Sequence, residues 1–196
     1  GAIRFGLSAV RNVGEGVSTL IVAAREEGGV FADFHDFIAK VDVSVCNKRV
    51  VESLIKSGAF DSLGHTRKGL VQVHEAVVDS AVDIKRAESH GQFDLFGGLE
   101  ADEETSLVPR GDIPIGEWEK SILLAHEREM LGLYVSDHPL HGAEGLLAQH
   151  TDRSIAALLA DERSDGTVAT VGGLVTAVQR KTTKQGSPWA IVTLED

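Results

Sequence analysis

Apolar residues recur at Leu7, Val10 and Val13 and again at Val17, Leu20, Ile21 and Ala24. This is the three-and-four spacing of two short helices that each bury one face. Gly14, Glu15 and Gly16 stand between them, so the pattern predicts helix, turn, helix, with the glycines at a reversal that needs a backbone free of Cβ clashes. A second unit follows the same plan without repeating the sequence. Phe31, Phe34, Phe37 and Ile38 recur at helical spacing, a loop ends at Asn47 as an N-cap, and Val50, Val51, Leu54 and Ile55 form one stripe that stops near Gly58. A further stripe, Leu70, Val73, Val77, Ala81 and Ile84, predicts a helix over residues 66–84.

Residues 88–116 are rich in glycine and carboxylates and predict a connector rather than a packed element. Helical spacing resumes over 117–131 and stops at Gly132, and a short helix is expected over 154–159. From Thr167 the pattern turns to strands: Val168, Val171, Leu174, Val175 and Val178, a polar turn over 181–187, then 189–194. Two strands do not make a stable sheet unaided, so the chain is expected to be a piece of something larger. The expected fold is mainly α. A tandem helix-hairpin-helix region covers 1–86, a flexible acidic linker 87–116, a helical connector 117–165, and the first strands of an incomplete OB-type β-barrel 166–196.

Charge sharpens this division. The net charge is −11, but residues 1–70 hold nine Lys/Arg against eight Asp/Glu, residues 71–165 seven against twenty, and residues 166–196 three against two. Local charge governs contact with phosphate, so the two ends are candidates for nucleic acid and the middle is not. The single cysteine, Cys46, excludes a disulfide framework and a cysteine-rich zinc site. No apolar run approaches the length of a membrane span and no signal-peptide layout opens the chain, which together point to a cytoplasmic protein with no membrane partner.

The glycine turn carries the clearest chemistry. Unpaired amides of Gly14, Gly16 and Val17 at a helix N-terminus, reinforced by the peptide dipoles, suit an anion such as a DNA phosphate, and Arg11, Asn12 and Ser18 add side-chain donors. Asn47, Lys48 and Arg49 take the corresponding place in the second unit, with Lys56, Arg67 and Lys68 extending the basic face. Contacts of this kind hold duplex DNA without reading its sequence. The competing reading is a tight loop between core helices with solvated surface charges. Within the connector, Gln92, Phe93, Asp94, Leu95 and Phe96 match the Q-x-x-L-F pattern of peptides that dock on the bacterial sliding clamp; the alternative is that Phe93, Leu95 and Phe96 tuck into this chain's own core. Arg180, Lys181, Lys184 and Trp189 suit single-strand binding on an OB face, although a strand tryptophan is more often core.

Catalytic signatures are missing. There is no nucleophile turn, no phosphate-cradling G-x-x-x-x-G-K and no set of close aspartates for two-metal chemistry. His126 with Glu129, or His138 with His141, leaves a metal-dependent hydrolase open as a distant reading, with a stand-alone helix-hairpin-helix repair or recombination adaptor ahead of it. No catalytic residue, metal ligand or cofactor is expected in this chain.

Four blocks, Ile3 to Gly14, Asn47 to Asp61, Gln92 to Gly97 and Glu129 to Leu140, resemble in order the C-terminal half of the bacterial replicative DNA polymerase III alpha subunits, the C-family polymerases. The resemblance runs along essentially the whole chain. It implies a tandem helix-hairpin-helix region that grips duplex DNA behind the polymerase, an internal peptide that binds the sliding clamp (the beta subunit), and the beginning of an OB domain. It further implies that the Mg-binding catalytic aspartates lie upstream of Gly1, and that other replisome subunits are met through regions beyond this chain. The intact clamp peptide favours the replicative enzyme over an error-prone paralogue.

Overall fold

The computed structural model describes residues 5–89, 110–161 and 166–196, in two compact units divided between Val135 and Ser136. The first unit contains α1 (Glu15–Gly28), α2 (Phe34–Lys40), α3 (Lys48–Lys56), α4 (Arg67–Ser89) and α5 (Lys120–Leu131). The core lies among α2, α3 and α4, where Phe34, Ile38, Val51, Leu54, Ile55, Leu70 and Ala81 are fully enclosed. Phe60 meets Phe34 and Phe37 edge-on, with ring centroids 5.4 and 4.8 Å apart, the orientation that ring quadrupoles favour.

Both ends of α2 are satisfied by side chains, one locally and one across the fold. At α2 the Asp33 side chain accepts from the Asp36 N–H while the Asp36 carboxylate accepts from the Ala32 N–H, both at 2.8 Å, a reciprocal cap. The C-terminal carbonyls of Ala39 and Val41 are met by the ammonium of Lys85, on α4, where a cation suits the negative end of the helix dipole.

α4 starts under a strap formed by residues 110–117. Glu117 accepts from the amides of Arg67 and Lys68 at 2.7 and 3.0 Å, and the Thr66 hydroxyl lies 3.0 Å from the Pro114 carbonyl. A Cβ on Gly69 would stand 2.0 Å from that same carbonyl, so glycine is required for the approach. The connector pattern placed residues 110–116 in a flexible linker. Instead they are held by the Thr66 hydroxyl, which meets the Pro114 and Gly116 carbonyls, and by Ile113, which packs against the core, a docking that composition alone does not reveal. Residues 117–135 likewise fold with the first unit, not with a connector reaching to 165.

Arg67 is the second departure. It was expected on a basic face; its side chain is 8% exposed and forms a fork on Asp61 at 2.9 and 2.6 Å, with Glu127 3.5 Å away. The Asp61 hydrogen bonds hold the guanidinium firmly charged and raise its pKa. Gly58, at φ 83°, leaves the space: a Cβ there would lie 2.2 Å from the guanidinium.

The second unit contains α6 (Glu144–His150), α7 (Ile155–Ala160), β1 (Leu174–Thr182) and β2 (Pro188–Glu195). The short helix expected over 154–159 is α7, with Ser154 as its cap rather than its first residue, whereas α6 was not foreseen. The strands pair antiparallel from Leu174 opposite Glu195 to Thr182 opposite Pro188, with an irregularity between Val175 and Ala177. Gly186, at φ 85°, turns the hairpin. Among the described residues no helix is long and apolar enough to cross a membrane.

Candidate nucleic-acid interface

The segment before α1 is a 3-10 turn, Leu7–Ala9, in place of the α-helix predicted from its apolar spacing. A run this short gains too few hydrogen bonds to offset helix nucleation. Instead the Val10 and Val13 amides close successive turns on Leu7 and Val10, both at 3.0 Å. The reversal falls at Asn12, which sits at φ 65°, a region that asparagine tolerates better than most residues. Its side-chain amide donates to the Ser53 hydroxyl at 3.0 Å, and that hydroxyl donates to the Arg49 carbonyl at 2.8 Å. The loop is thus tied to α3.

Gly14 and Gly16 therefore do not make the sharp turn expected of them. Gly14 is the N-cap of α1, at φ −80° and ψ 166° with no side-chain cap. A Cβ on either glycine would meet nothing within 4 Å. Among the described residues nothing calls for glycine at these two exposed positions. The first helical hydrogen bond runs from the Ser18 amide to the Gly14 carbonyl at 3.1 Å, so the preceding amides of Glu15, Gly16 and Val17 have no acceptor within the helix. Ser18 also turns its hydroxyl back to Gly14 O at 3.3 Å. Arg11, 63% exposed, stands 3.9 Å from Glu129.

At α3 the corresponding position is filled. The Asn47 side chain accepts from the amides of Arg49 and Val50 at 3.0 and 3.4 Å, a strong N-cap that occupies the donors an anion would use. Lys48 is bound 2.8 Å from Asp79, and that hydrogen bond raises its pKa. Arg49 is exposed. The groove alongside carries both signs, Lys48, Arg49 and Arg86 with Asp79 and Asp83. Lys56 is paired with Glu52 at 2.7 Å, so the continuous basic face read from the sequence does not form.

The relatives match this architecture. Residues 1–70 match the helix-hairpin-helix motif family. The DNA polymerase III subunit alpha of Saccharopolyspora erythraea is 52% identical over 99% of this chain, that of Mycobacterium tuberculosis 50% over 99%, and that of Escherichia coli 35% over its full extent. This sequence belongs to the DNA polymerase III alpha-subunit family. It corresponds to one segment of an alpha subunit, spanning 16 to 17% of the length of these relatives.

Elsewhere the alpha-subunit segment departs from sequence expectation. The Gln92–Phe96 peptide lies outside the described residues. Trp189, weighed as core, is 46% exposed and lies opposite Lys181 across the hairpin, with the ammonium 5.3 Å from the ring centroid. Arg180, Lys181 and Trp189 share a shallow groove, and Lys184 lies in the turn. His126 packs on Trp118 with centroids 4.7 Å apart, and burial lowers its pKa. His138 accepts from the Leu140 amide, and His141 lies 2.8 Å from Asp137. Among the described residues no three His, Cys, Asp or Glu side chains gather as a metal set. Sequence reading missed Ser53, Glu129 and Met130 at the first hairpin. They are joined to it only by long-range contacts, which leave no local signal.

Proposed function

We propose that this alpha-subunit segment holds duplex DNA by its phosphates at the N-terminus of α1 and tethers the polymerase to the sliding clamp through Gln92, Leu95 and Phe96. One observation carries the DNA reading: among the described residues α1 begins with three amides unanswered by any side-chain cap, beside two exposed glycines that no contact requires. Glycines there let a phosphate oxygen approach the backbone, and the helix dipole favours its charge. Arg11 and Arg49 add cationic side chains at the surface, while Lys48 is held by Asp79 and Asn47 serves α3 as its cap. Similarity to alpha subunits along 99% of the chain supports this reading over a stand-alone adaptor, which would need only the hairpin region.

The rest of the proposal follows from family membership and the sequence. The parent enzyme is a cytoplasmic DNA-directed DNA polymerase whose Mg-binding carboxylates lie upstream of this segment, and which meets other replisome subunits outside it. The β1–β2 hairpin opens an OB-type domain whose Trp189 stacks a base. The clamp peptide contributes by raising effective concentration, so that two weak contacts together give long residence. The test is duplex binding and clamp binding measured side by side on one set of variants. Gly14→Asp is expected to weaken the first at least about ten-fold and spare the second, and Leu95→Ala with Phe96→Ala to spare the first and abolish the second. Loss of both activities in either variant overturns the division of labour.

A further inference from the structure

The first hairpin is seated on a helix that lies outside the residues matching the hairpin motif. The Arg11 amide donates to the Met130 carbonyl in the last turn of α5 at 2.8 Å. Met130 is itself buried in the core that holds Val10 and Val13. α5 stops immediately afterwards at Gly132, whose left-handed backbone, at φ 78°, returns its amide to the Arg128 carbonyl at 2.8 Å. On the other side Asn12 is tied to Ser53 of α3. Arg11 is therefore fixed at its backbone between two helices, while its side chain remains at the surface.

Glu129, adjoining Met130, faces that side chain. One carboxylate oxygen lies 3.9 Å from the Arg11 guanidinium, and the other lies 3.8 Å from the His126 ring nitrogen. Half of the Glu129 side chain is exposed, so its pairing with Arg11 is weak and exchangeable with a solution anion. A phosphate arriving at the α1 amides would meet Arg11 already engaged, with a carboxylate next to it.

We infer that Glu129 is a negative regulator of the hairpin's phosphate contact: it holds Arg11 in reserve, and DNA must displace it. This rests on the DNA-holding reading above. In this arrangement α5 acts as a positioning platform, and its terminal carboxylate sets grip strength, keeping contact with duplex DNA weak enough for the segment to move along it. The pair exchanges one ionic partner for another, so the loss of Glu129 offsets part of what Arg11 gains on phosphate, and that contact reaches its full strength only when Glu129 is neutralised.

The experiment is fluorescence anisotropy of a labelled duplex of about twenty base pairs with the complete 196-residue chain, titrated at several salt concentrations. Glu129→Gln is expected to tighten binding about two- to five-fold at low salt, the scale of an exposed ion pair. The slope of log K against log salt should steepen by about one, for one additional phosphate neutralised. In an Arg11→Ala background both effects should vanish. A gain of equal size in that background would overturn the inference, because it would mark a general effect of removing negative charge. So would an unchanged affinity and slope for Glu129→Gln. If Gly14→Asp weakens binding while Glu129→Gln changes nothing, only the role of Glu129 falls; if the unmodified chain does not bind the duplex, both readings fall together.

Discussion

The N-termini of α1 and α3 differ in what answers their first amides. At α1 the cap is Gly14, without a side chain to offer, and the amides open to solvent. At α3 the cap is Asn47, whose oxygen accepts from two amides, and the neighbouring Lys48 is bound to Asp79. Both read as hairpin turns at a helix start, yet one has the form of a site and the other of a structural joint. A helix N-terminus binds an anion only when the protein leaves it unsatisfied. The lesson extends to charge: Lys48, Lys56 and Arg67 count as cations in a sequence, but each has a carboxylate partner in the fold.

The largest expected effect tests the frame that holds both helices. Arg67→Ala removes a buried guanidinium from its fork on Asp61 and from the side of Glu127 and should cost about 3–5 kcal/mol, measured by urea unfolding; a loss below about 1 kcal/mol would mean the fork on Asp61 contributes little. Gly14→Asp closes the open terminus. It should stabilise α1 by about 0.5 kcal/mol through capping and dipole terms, yet weaken duplex binding at least about ten-fold, or 1.4 kcal/mol. Parallel changes in stability and binding would show that α1 is not where phosphate sits. Asn47→Ala opens the filled terminus in the opposite sense, costing about 1 kcal/mol of stability while duplex affinity stays within about two-fold. An affinity loss as large as that of Gly14→Asp would make the two hairpins equal partners.

The smallest effect concerns pH. Burial pushes the His35 imidazole below its ordinary pKa of 6.5, and its enclosed Nε2 has no hydrogen-bond partner among the described residues. The folded state therefore keeps the ring neutral while the unfolded chain takes up a proton, so stability is complete above pH 6.5 and is lost as pH falls below it. His126, also lowered by burial, adds in the same direction. His35→Leu should flatten the decline in melting temperature between about pH 7 and 5, and an unchanged slope would assign the decline to other groups.

Much of the helical plan was legible because its signals are local. The stripe of Val50, Val51, Leu54 and Ile55 behind the Asn47 cap, the α4 stripe through Leu70 and Ala81, the Gly132 stop and the short helix near 154–159 each depend on residues within one or two turns. The hairpin strands were legible from alternation and a polar turn. The turn before α1 was misplaced because glycine marks freedom, not need: Asn12 takes the left-handed position while Gly14 and Gly16 remain in ordinary backbone.

Sequence by itself determined the helix stripes, the caps and the presence of a glycine-rich helix start, since each arises from side-chain period and backbone preference over a few residues. Tertiary structure alone decided which charges stay available and what surrounds the site. The strap from Pro114 to Glu117 over α4, the burial of Arg67 between Asp61 and Glu127, and the seating of Arg11 on Met130 all join residues distant in the chain. Ion pairing and desolvation depend on distance in space, and no local pattern encodes that distance.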